Sequence, residues 1–331
     1  MKISVVMATY NGEQFIEEQL DSIRRQTRRP DEVIISDDAS DDRTFELLLS
    51  FGKRYPDFPM RLFRNQTNQG YRKNFRRAVA LALESGGSAY GETSDDGLIF
   101  LADQDDRWHP EKIETMAGIF EKRGEISVLA SSFTVMDAEG TAVPVRQEKG
   151  WSNQHLYHRT VPEEAVVQVP AEDLAFHNFA QGCAMAMKNG AAGRFLDDFS
   201  DKVPHDWQIA MSGAVRGATW FYNRPLFRYR VHRHNVHGLQ ADASEGRMKE
   251  NYRLTDALRA REILRWTREK EPEYYRHSAE MQEAMSFLDE DIRCMTEHDR
   301  RGMLALMKNP EYGRLKSRKA QAADLLSVLL P

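Results

Sequence analysis

Residues 98–106 read LIFLADQDD, an apolar run of five residues that ends directly in an acidic turn. The apolar run predicts a buried β-strand, and polar residues that follow such a strand in an open α/β sheet lie where ligands bind. The three carboxylates of Asp103, Asp105 and Asp106 repel one another unless a cation lies among them. Hard oxygen ligands suit Mg²⁺ or Mn²⁺, so the turn predicts a divalent metal site.

Strand-like and helix-like segments alternate along most of the chain. The predicted strands cover residues 3–8, 32–36, 60–64, 98–102, 126–136, 182–187 and 219–229. The predicted helices cover residues 15–23, 44–51, 71–84, 110–122, 206–215, 253–268 and 280–296. This alternation is typical of βαβ units, and it predicts an α/β fold with a mostly parallel sheet flanked by helices and a helical extension at the C-terminal end.

Two earlier strands also end in polar residues. The first predicted strand is followed by Thr9 and Tyr10, and the second by Asp37 and Asp38. Because the carboxyl ends of parallel strands meet at one edge of a sheet, we expect these side chains to lie near the acidic turn.

The composition argues against several classes of function. The net charge of −5 over 331 residues gives no polybasic signature, so nucleic acid is not an expected partner. The opening MKISVVMATY predicts a short strand rather than a signal peptide, and no run reaches the length of a membrane span. Two distant cysteines, Cys183 and Cys294, fit a reduced cytoplasmic location, with Cys183 as a small buried hydrophobe.

The pattern becomes helical and highly charged near residue 240. We therefore predict a domain over residues 1–240 and a helical extension over residues 241–331. The last 32 residues, 300–331, are basic and end in LLSVLL. They form either a helix that packs on the body or in a homodimer, or a peripheral contact with the anionic inner face of the plasma membrane.

Five blocks in collinear order over residues 1–240 resemble the family 2 glycosyltransferases, which have the GT-A fold. They are VVMATYNGEQFIEEQLDSIRRQT (5–27), EVIISDDASDDRT (32–44), LIFLADQDDRWHPEKI (98–113), NFAQGCAMAMKN (178–189) and PHDWQIAMSGAVRGATWFYNRPLFRYRVHRHNVHG (204–238). The last two look like the rhamnosyltransferase-like branch of that family. Residues 241–331 are not covered by the resemblance.

The resemblance implies the residues that would bind the donor nucleotide. Thr9 and Tyr10 would flank the base, and either Asp37 or Asp38 would accept a hydrogen bond from the pyrimidine N–H. Asp103 would lie near the ribose and the sugar.

It also implies the residues around the diphosphate and the reacting carbon. Asp105 would ligate the metal, Arg230 would face the diphosphate, and His232 would be an additional metal ligand. Asp206 aligns with the catalytic base of the family. Gly182, which lacks a Cβ, would let the chain pass close to the donor sugar or the acceptor.

These groups predict an inverting transfer of a hexose. A nucleoside diphosphate leaves readily once its charge is neutralised, and one carboxylate base activates the acceptor hydroxyl for a single in-line displacement. The leading donor is dTDP-rhamnose, and UDP-hexoses are the alternative. The resemblance implies a saccharide or lipid-linked saccharide acceptor in cell-surface polysaccharide synthesis, such as an O-antigen or capsule.

Other interpretations of single residues stay open from the sequence. Asp206 could simply cap a helix, and Trp207, which we expect to contact the substrate beside Asp206, could instead be part of the core. Asp42 is expected to begin the second helix. Ala39 stands where the family commonly has glycine, and Ala8 where it commonly has proline, so we expect the turn at Ala39 to differ slightly.

Three other functions are alternatives to a glycosyltransferase. A sugar-1-phosphate nucleotidyltransferase needs a glycine-rich basic signature after the first strand, where this chain has ATYNGEQ at residues 8–14. A dehydrogenase needs a G-x-G-x-x-G turn at the same place. A non-catalytic sugar-binding or nucleotide-sugar-binding homologue would not need both Asp105 and Asp206.

Overall fold

The computed structural model describes residues 1–85, 97–145, 150–154, 156–232, 249–309, 312 and 324–325. Its contacts divide the chain into two compact units. Unit 1 comprises Met1–Pro170 and Phe179–Ala241, and unit 2 comprises Ala171–Asn178 and Asp242–Pro331. The sequence did not predict that residues 171–178 would group with the helical C-terminal part.

Unit 1 is built on one mixed sheet. Its described strands are β1 (Lys2–Thr9), β2 (Glu32–Asp37), β3 (Met60–Arg64), β4 (Gly97–Ala102), β5 (Arg107–Trp108), β6 (Val128–Met136), β7 (Ala142–Val143), β8 (Val166–Gln168), β9 (Met185–Lys188) and β10 (Thr219–Arg230). The strand order is β3-β2-β1-β4-β9-β6-β10-β5, with β7 beside β6 and β8 beside β10.

Six described helices belong to unit 1. They are α1 (Ile16–Arg24), α2 (Thr44–Arg54), α3 (Tyr71–Ser85), α4 (Lys112–Lys122), α5 (Asn189–Asp197) and α6 (His205–Ala214). The apolar faces of α1, α2 and α4 contribute to a core with the strands, and β2 and β4 are buried along their whole length. The predicted α/β fold, with a mostly parallel sheet flanked by helices, is confirmed.

The direction of the strands decides what lies at the edge where β4 ends. Strands β1 to β4 are mutually parallel, and β10 runs parallel to β6. Strand β9 runs antiparallel to both β4 and β6, with Phe100 opposite Ala186. Because β9 is reversed, the 3₁₀ turn Gly182–Ala184 that precedes it lies beyond the carboxyl end of β4. The acidic turn and this 3₁₀ turn are therefore neighbours.

Unit 2 is helical. It contains a 3₁₀ turn at Ala171–Leu174 and the helices α7 (Lys249–Lys270), α8 (Pro272–His277), α9 (Ala279–Thr296) and α10 (Arg300–Leu306). The side chains of Ser278 and Asp299 cap α9 and α10 by accepting hydrogen bonds from backbone N–H groups. No helix in the described part of the chain combines the length and the apolar character that a membrane crossing requires.

The predicted basic tail is only partly described. Residues 300–309 belong to α10 and its end, and the hydroxyl of Tyr312 donates a hydrogen bond of 2.8 Å to Asp324. Residues 313–323 and 326–331, which include most of LLSVLL, lie outside the described residues, as do residues 86–96 and 233–248.

Candidate active site

The acidic turn after β4 is joined to the end of β10. Nε2 of His232 lies 2.9 Å from Oδ2 of Asp105, and both side chains are largely but not fully buried. The imidazole of His232 also packs against the ring of Phe15, with the ring centroids 4.8 Å apart. The two residues predicted as metal ligands are thus brought together by the fold.

A second cluster, in which Asp106 and Cys183 are buried and Asp103 is partly exposed, lies next to this pair. Oxygens of Asp103 and Asp106 and the sulfur of Cys183 lie within 4.8 Å of one another. Burial and the charge of Asp105 raise the pKa of Asp103 to about 7, and burial raises the pKa of Asp106 well above its usual range. Oδ2 of Asp106 has no hydrogen-bond partner among the described residues. Cys183 is fully buried, as its apolar neighbours in the sequence predicted.

Asp206 lies beside the 3₁₀ turn Gly182–Ala184. It stands in the first turn of α6, and its Oδ1 accepts a hydrogen bond of 2.8 Å from the N–H of Trp207. A Cβ on Gly182 would lie 3.6 Å from Cβ of Asp206, and the sulfur of the next residue, Cys183, lies within 4.8 Å of Asp103, so the 3₁₀ turn connects the two carboxylates. The predicted base and the acidic turn are therefore parts of one site.

The lack of a side chain at Gly182 is explained by His205, the residue before Asp206. A Cβ on Gly182 would lie 2.8 Å from Nε2 of His205 and 3.6 Å from Cβ of Asp206. The space is thus filled by protein atoms, whereas we expected Gly182 to make room for a substrate. The ring of His205 stacks on Phe75 at 4.1 Å between centroids and 15° between planes. Gly182 lets this imidazole pack beside the 3₁₀ turn.

Arg230 is directed into the protein. Its Nε donates to the backbone carbonyl of Asp105 at 2.7 Å, its guanidinium also bonds Glu18 and the carbonyl of Ala138, and its backbone N–H donates to Asp106. We predicted that Arg230 faces the diphosphate. The structure instead buries the side chain, because these carbonyls and Glu18 satisfy its N–H groups. Arg230 therefore holds the acidic turn.

The end of β1 is held against β2 by Asp37. Oδ1 of Asp37 accepts hydrogen bonds from the hydroxyls of Thr9 and Ser40, and Oδ2 lies 3.4 Å from Nε of Arg64. Thr9 and Asp37 are both buried, so their polar atoms serve the protein interior. Of the predicted residues at the end of β1, Tyr10 alone is exposed, at 44%.

Asp38 anchors the loop between β3 and α3. Its Oδ1 accepts from the side chain of Asn65 at 2.6 Å and from the N–H of Gln69 at 2.9 Å, whereas Oδ2 accepts from the N–H of Gly70 at 2.8 Å. Since each carboxylate oxygen has two acceptor positions, Oδ2 of Asp38 keeps one more.

Gln104 is a site residue that the sequence did not single out. Its side-chain amide accepts from the N–H of Tyr10 and donates to the carbonyl of Tyr10, both at 2.9 Å. This bidentate contact ties the acidic turn to the end of β1. The sequence offers one signal for Gln104, its place between Asp103 and Asp105. Its partner Tyr10 lies 94 residues away, so the contact itself could not be predicted.

The structure also places three further residues that the sequence singles out. Trp207 is only 5% exposed, which favours the core over contact with a sugar. Ala39 has φ of +60°, the left-handed conformation that glycine adopts easily, so this position carries backbone strain that a glycine would avoid. Asp42 lies two residues before α2 and supports the start of that helix, as predicted, because its Oδ1 accepts from the N–H of Thr44 at 2.8 Å.

Known protein families and relatives match this chain. The model of the family described as glycosyl transferase family 2 matches residues 4–180. An uncharacterized protein of Mycobacterium tuberculosis is 27% identical over 237 residues, which are 71% of this chain and 60% of that protein. The dTDP-rhamnosyl transferase RfbG of Shigella flexneri is 29% identical over 241 residues, 70% of this chain and 73% of that protein. The chain thus spans three fifths of the mycobacterial relative.

Solved structures share the fold. The mannosyltransferase PcManGT from Pyrobaculum calidifontis, in complex with GDP-Man and Mn²⁺, has a TM-score of 0.53 at 16% identity and covers 99% of this chain and 86% of its own. TarS from S. aureus, in complex with UDP-GlcNAc, has a TM-score of 0.52 at 16% identity, and the match covers 99% of this chain and 90% of the TarS chain. At such identities the likeness establishes the fold alone, which is the expected GT-A fold. Because the family model matches more than half of the 331 residues, the chain belongs to glycosyl transferase family 2.

Proposed function

We propose that this chain is an inverting, metal-dependent glycosyltransferase that moves a hexose from a nucleoside-diphosphate sugar to a hydroxyl group of a saccharide. The observation that carries the proposal is that Asp206 and Asp103 both lie beside the 3₁₀ turn Gly182–Ala184, at the edge where Asp105 also meets His232. A base and a cation-binding pair on one edge are the groups that such a displacement needs.

The residues present fit a divalent cation. Asp105 offers a carboxylate and His232 an imidazole, and nearby Oδ2 of Asp106 is buried without a hydrogen-bond partner among the described residues. Such a donor set suits Mn²⁺ or Mg²⁺, with Asp105 as the ligand and His232 as an additional one. When bound, the cation neutralises charge that develops on the diphosphate leaving group.

The nucleotide base would lie at the end of β1. The exposed ring of Tyr10 offers an apolar face for stacking, and Gln104 fixes the backbone of Tyr10 from below. Asp38 is a better acceptor for a pyrimidine N–H than Asp37. Oδ2 of Asp38 accepts one hydrogen bond, from the N–H of Gly70, whereas Oδ2 of Asp37 accepts from the N–H of Ser40 and also lies 3.4 Å from Nε of Arg64.

Asp206 would act as the base. Its carboxylate takes the proton of the acceptor hydroxyl while the hydroxyl oxygen attacks C1 of the donor sugar. The new C1–O bond forms as the bond from C1 to the diphosphate oxygen breaks, and the electron pair leaves with the nucleoside diphosphate. Because the base and the leaving group are on opposite faces of the sugar, the configuration at C1 inverts.

The proposed donor is dTDP-rhamnose. The 29% identity to a protein named dTDP-rhamnosyl transferase, over 70% of this chain, supports this choice. A UDP-hexose is the second candidate, because a structural relative at 16% identity was solved with UDP-GlcNAc. The proposed acceptor is a saccharide, free or lipid-linked, in cell-surface polysaccharide synthesis, with cytoplasmic catalysis.

A donor screen followed by one substitution tests the proposal. In a thermal-shift screen of nucleoside-diphosphate sugars with Mn²⁺, dTDP-rhamnose is expected to give the largest rise in melting temperature. Asp206→Asn should bind that donor within about twofold of wild type and lose at least ~100-fold in transfer rate, since general-base catalysis contributes about that much.

Asp197→Asn is the matched control, because Asp197 is an exposed aspartate at the end of α5. It is expected to leave transfer unchanged. Near-normal transfer by Asp206→Asn would remove that residue as the base, and donor binding without any transfer by wild type would favour the non-catalytic homologue.

A further inference from the structure

A lysine is buried next to the acidic turn. Lys112, in the first turn of α4, is fully inaccessible to solvent. Its Nζ donates a hydrogen bond to the backbone carbonyl of Cys183 and lies 4.1 Å from the ring centre of Trp108 and 4.4 Å from that of Phe227. Burying an ammonium group costs several kcal/mol unless other groups compensate for its lost hydration.

One carbonyl and two aromatic faces compensate in part. Aromatic faces attract cations, and this attraction grows when water is excluded. Nevertheless, burial lowers the pKa of Lys112 to about 8. The negative charges of Asp106 and Asp103 act in the opposite direction and favour the charged lysine. The structure also connects Lys112 to these carboxylates, since the carbonyl that Lys112 binds belongs to Cys183, whose sulfur lies within 4.8 Å of oxygens of Asp103 and Asp106.

The influence is mutual, since the charge of Lys112 lowers the pKa of Asp103 against the larger effects of burial and of Asp105. Arg230, the other buried cation at this edge, is bonded to the carboxylate of Glu18. Glu18 therefore neutralises the charge of Arg230, whereas the charge of Lys112 acts on Asp103 and Asp106.

We propose that Lys112 is a built-in counter-cation of the acidic turn, which lowers the affinity of that turn for a divalent cation and holds the 3₁₀ turn Gly182–Ala184 beside it. This inference rests on the proposed metal dependence. Lys112 is a positioning residue, because it contacts the carbonyl of Cys183 and aromatic rings rather than the reacting groups. A cation fixed in the protein keeps the carboxylates close together before any ion arrives, and it competes electrostatically with that ion.

The sign of the effect makes the inference testable. Mn²⁺ binding is measured by calorimetry at pH 7.5 on the full chain, without nucleotide. Lys112→Gln removes the charge and keeps an N–H donor for the carbonyl of Cys183, and Lys112→Met removes both. Lys112→Gln is expected to bind Mn²⁺ at least about fivefold more tightly than wild type, because one repulsive charge is gone. Lys112→Met should gain less than Lys112→Gln, because it also loses the hydrogen bond that holds the 3₁₀ turn. Lys112→Arg, which keeps the charge, should stay within about twofold.

Asp106→Asn provides the opposite change within the same cluster. It removes a negative charge at nearly constant shape and should weaken Mn²⁺ binding several-fold. A merely structural role for Lys112 would weaken Mn²⁺ binding in its variants too, and this result would overturn the inference.

Unchanged affinity in a folded Lys112→Gln variant would also overturn it, as would the absence of Mn²⁺ binding in wild type, Lys112→Gln and Lys112→Met. Sugar transfer by the same wild-type preparation reports separately on the proposed function.

Discussion

Nε2 of His232 lies 2.9 Å from Oδ2 of Asp105, although 127 residues separate them in the chain. The parallel pairing of β10 with β6 produces this contact, because Arg230 at the end of β10 lies opposite Met136 and the chain continues at the same edge of the sheet. The backbone N–H of Arg230 then bonds Asp106, which fixes the register of His232 against the acidic turn. The fold itself therefore brings together the two residues that we propose as the cation ligands.

Removing either member of this pair should weaken metal binding. Asp105→Ala is expected to abolish Mn²⁺-dependent binding of a nucleoside diphosphate, whereas His232→Ala should weaken it by on the order of tenfold to a hundredfold. Calorimetry with and without Mn²⁺ measures both. Asp42→Asn is the control, since Asp42 supports the start of α2 and should not change the metal dependence. Unchanged Mn²⁺-dependent affinity in Asp105→Ala would contradict the assignment.

A methyl group on Gly182 should shift Asp206, the proposed catalytic base, from its position. In Gly182→Ala the new Cβ would lie 2.8 Å from Nε2 of His205, whose ring is stacked on Phe75 and cannot retreat without losing that contact. Because His205 directly precedes Asp206 in the chain, a shift of His205 also moves Asp206. We therefore expect the turnover number to fall at least about tenfold while the donor dissociation constant stays within about twofold.

Gly118→Ala is the matched control for this change. No atom lies within 4 Å of a Cβ added at Gly118, which is inside α4, so activity should be unchanged. Full turnover by Gly182→Ala would show that the packing of His205 does not position the base.

The sequence predicts the sheet and much of its edge because each signal is local. Each predicted strand carries its own apolar run, and Asp103 and Asp105 follow such a run directly. The contacts of Gln104 with Tyr10 and of Lys112 with Cys183 could not be predicted, since they join segments 94 and 71 residues apart. They depend on strand order, which no local pattern specifies.

The direction of a strand also cannot be predicted from its residues. The run at residues 185–188 has strand character, yet nothing in it states that β9 is antiparallel to β4. That reversal places Gly182 beside His205 rather than beside an open pocket. The charge of Arg230 likewise suggested a phosphate contact, and its burial depends on the carbonyls of Asp105 and Ala138, which the fold brings near.

Ala39→Gly is expected to stabilise the protein. Ala39 has φ of +60°, a conformation that costs an L-residue about 1–2 kcal/mol, and glycine avoids most of this cost while adding entropy to the unfolded chain. The net gain should be about 0.5–1 kcal/mol, measured as a higher urea midpoint at unchanged slope. Ala80→Gly, inside α3, should have the opposite effect of about 1 kcal/mol. A lower midpoint for Ala39→Gly would contradict the argument.

His205 should make the protein sensitive to acid. Burial lowers the pKa of His205 to about 3 from an ordinary value of 6.5, so between pH 6.5 and 3 the unfolded state binds a proton that the native state does not. Stability must therefore fall as the pH falls through this window, by up to about 1.4 kcal/mol per pH unit from this residue. His205→Phe keeps an aromatic ring on Phe75 and removes the proton.

Urea unfolding of wild type and His205→Phe at several pH values between 7 and 4.5 checks this expectation. The loss of stability should be shallower in the variant by about one proton. At pH 7 the variant should be at least as stable as wild type, because neither ring nitrogen of His205 has a hydrogen-bond partner among the described residues. His277→Gln, which removes an exposed histidine, should keep the wild-type slope. Parallel pH profiles for wild type and His205→Phe would show that the buried imidazole does not resist protonation.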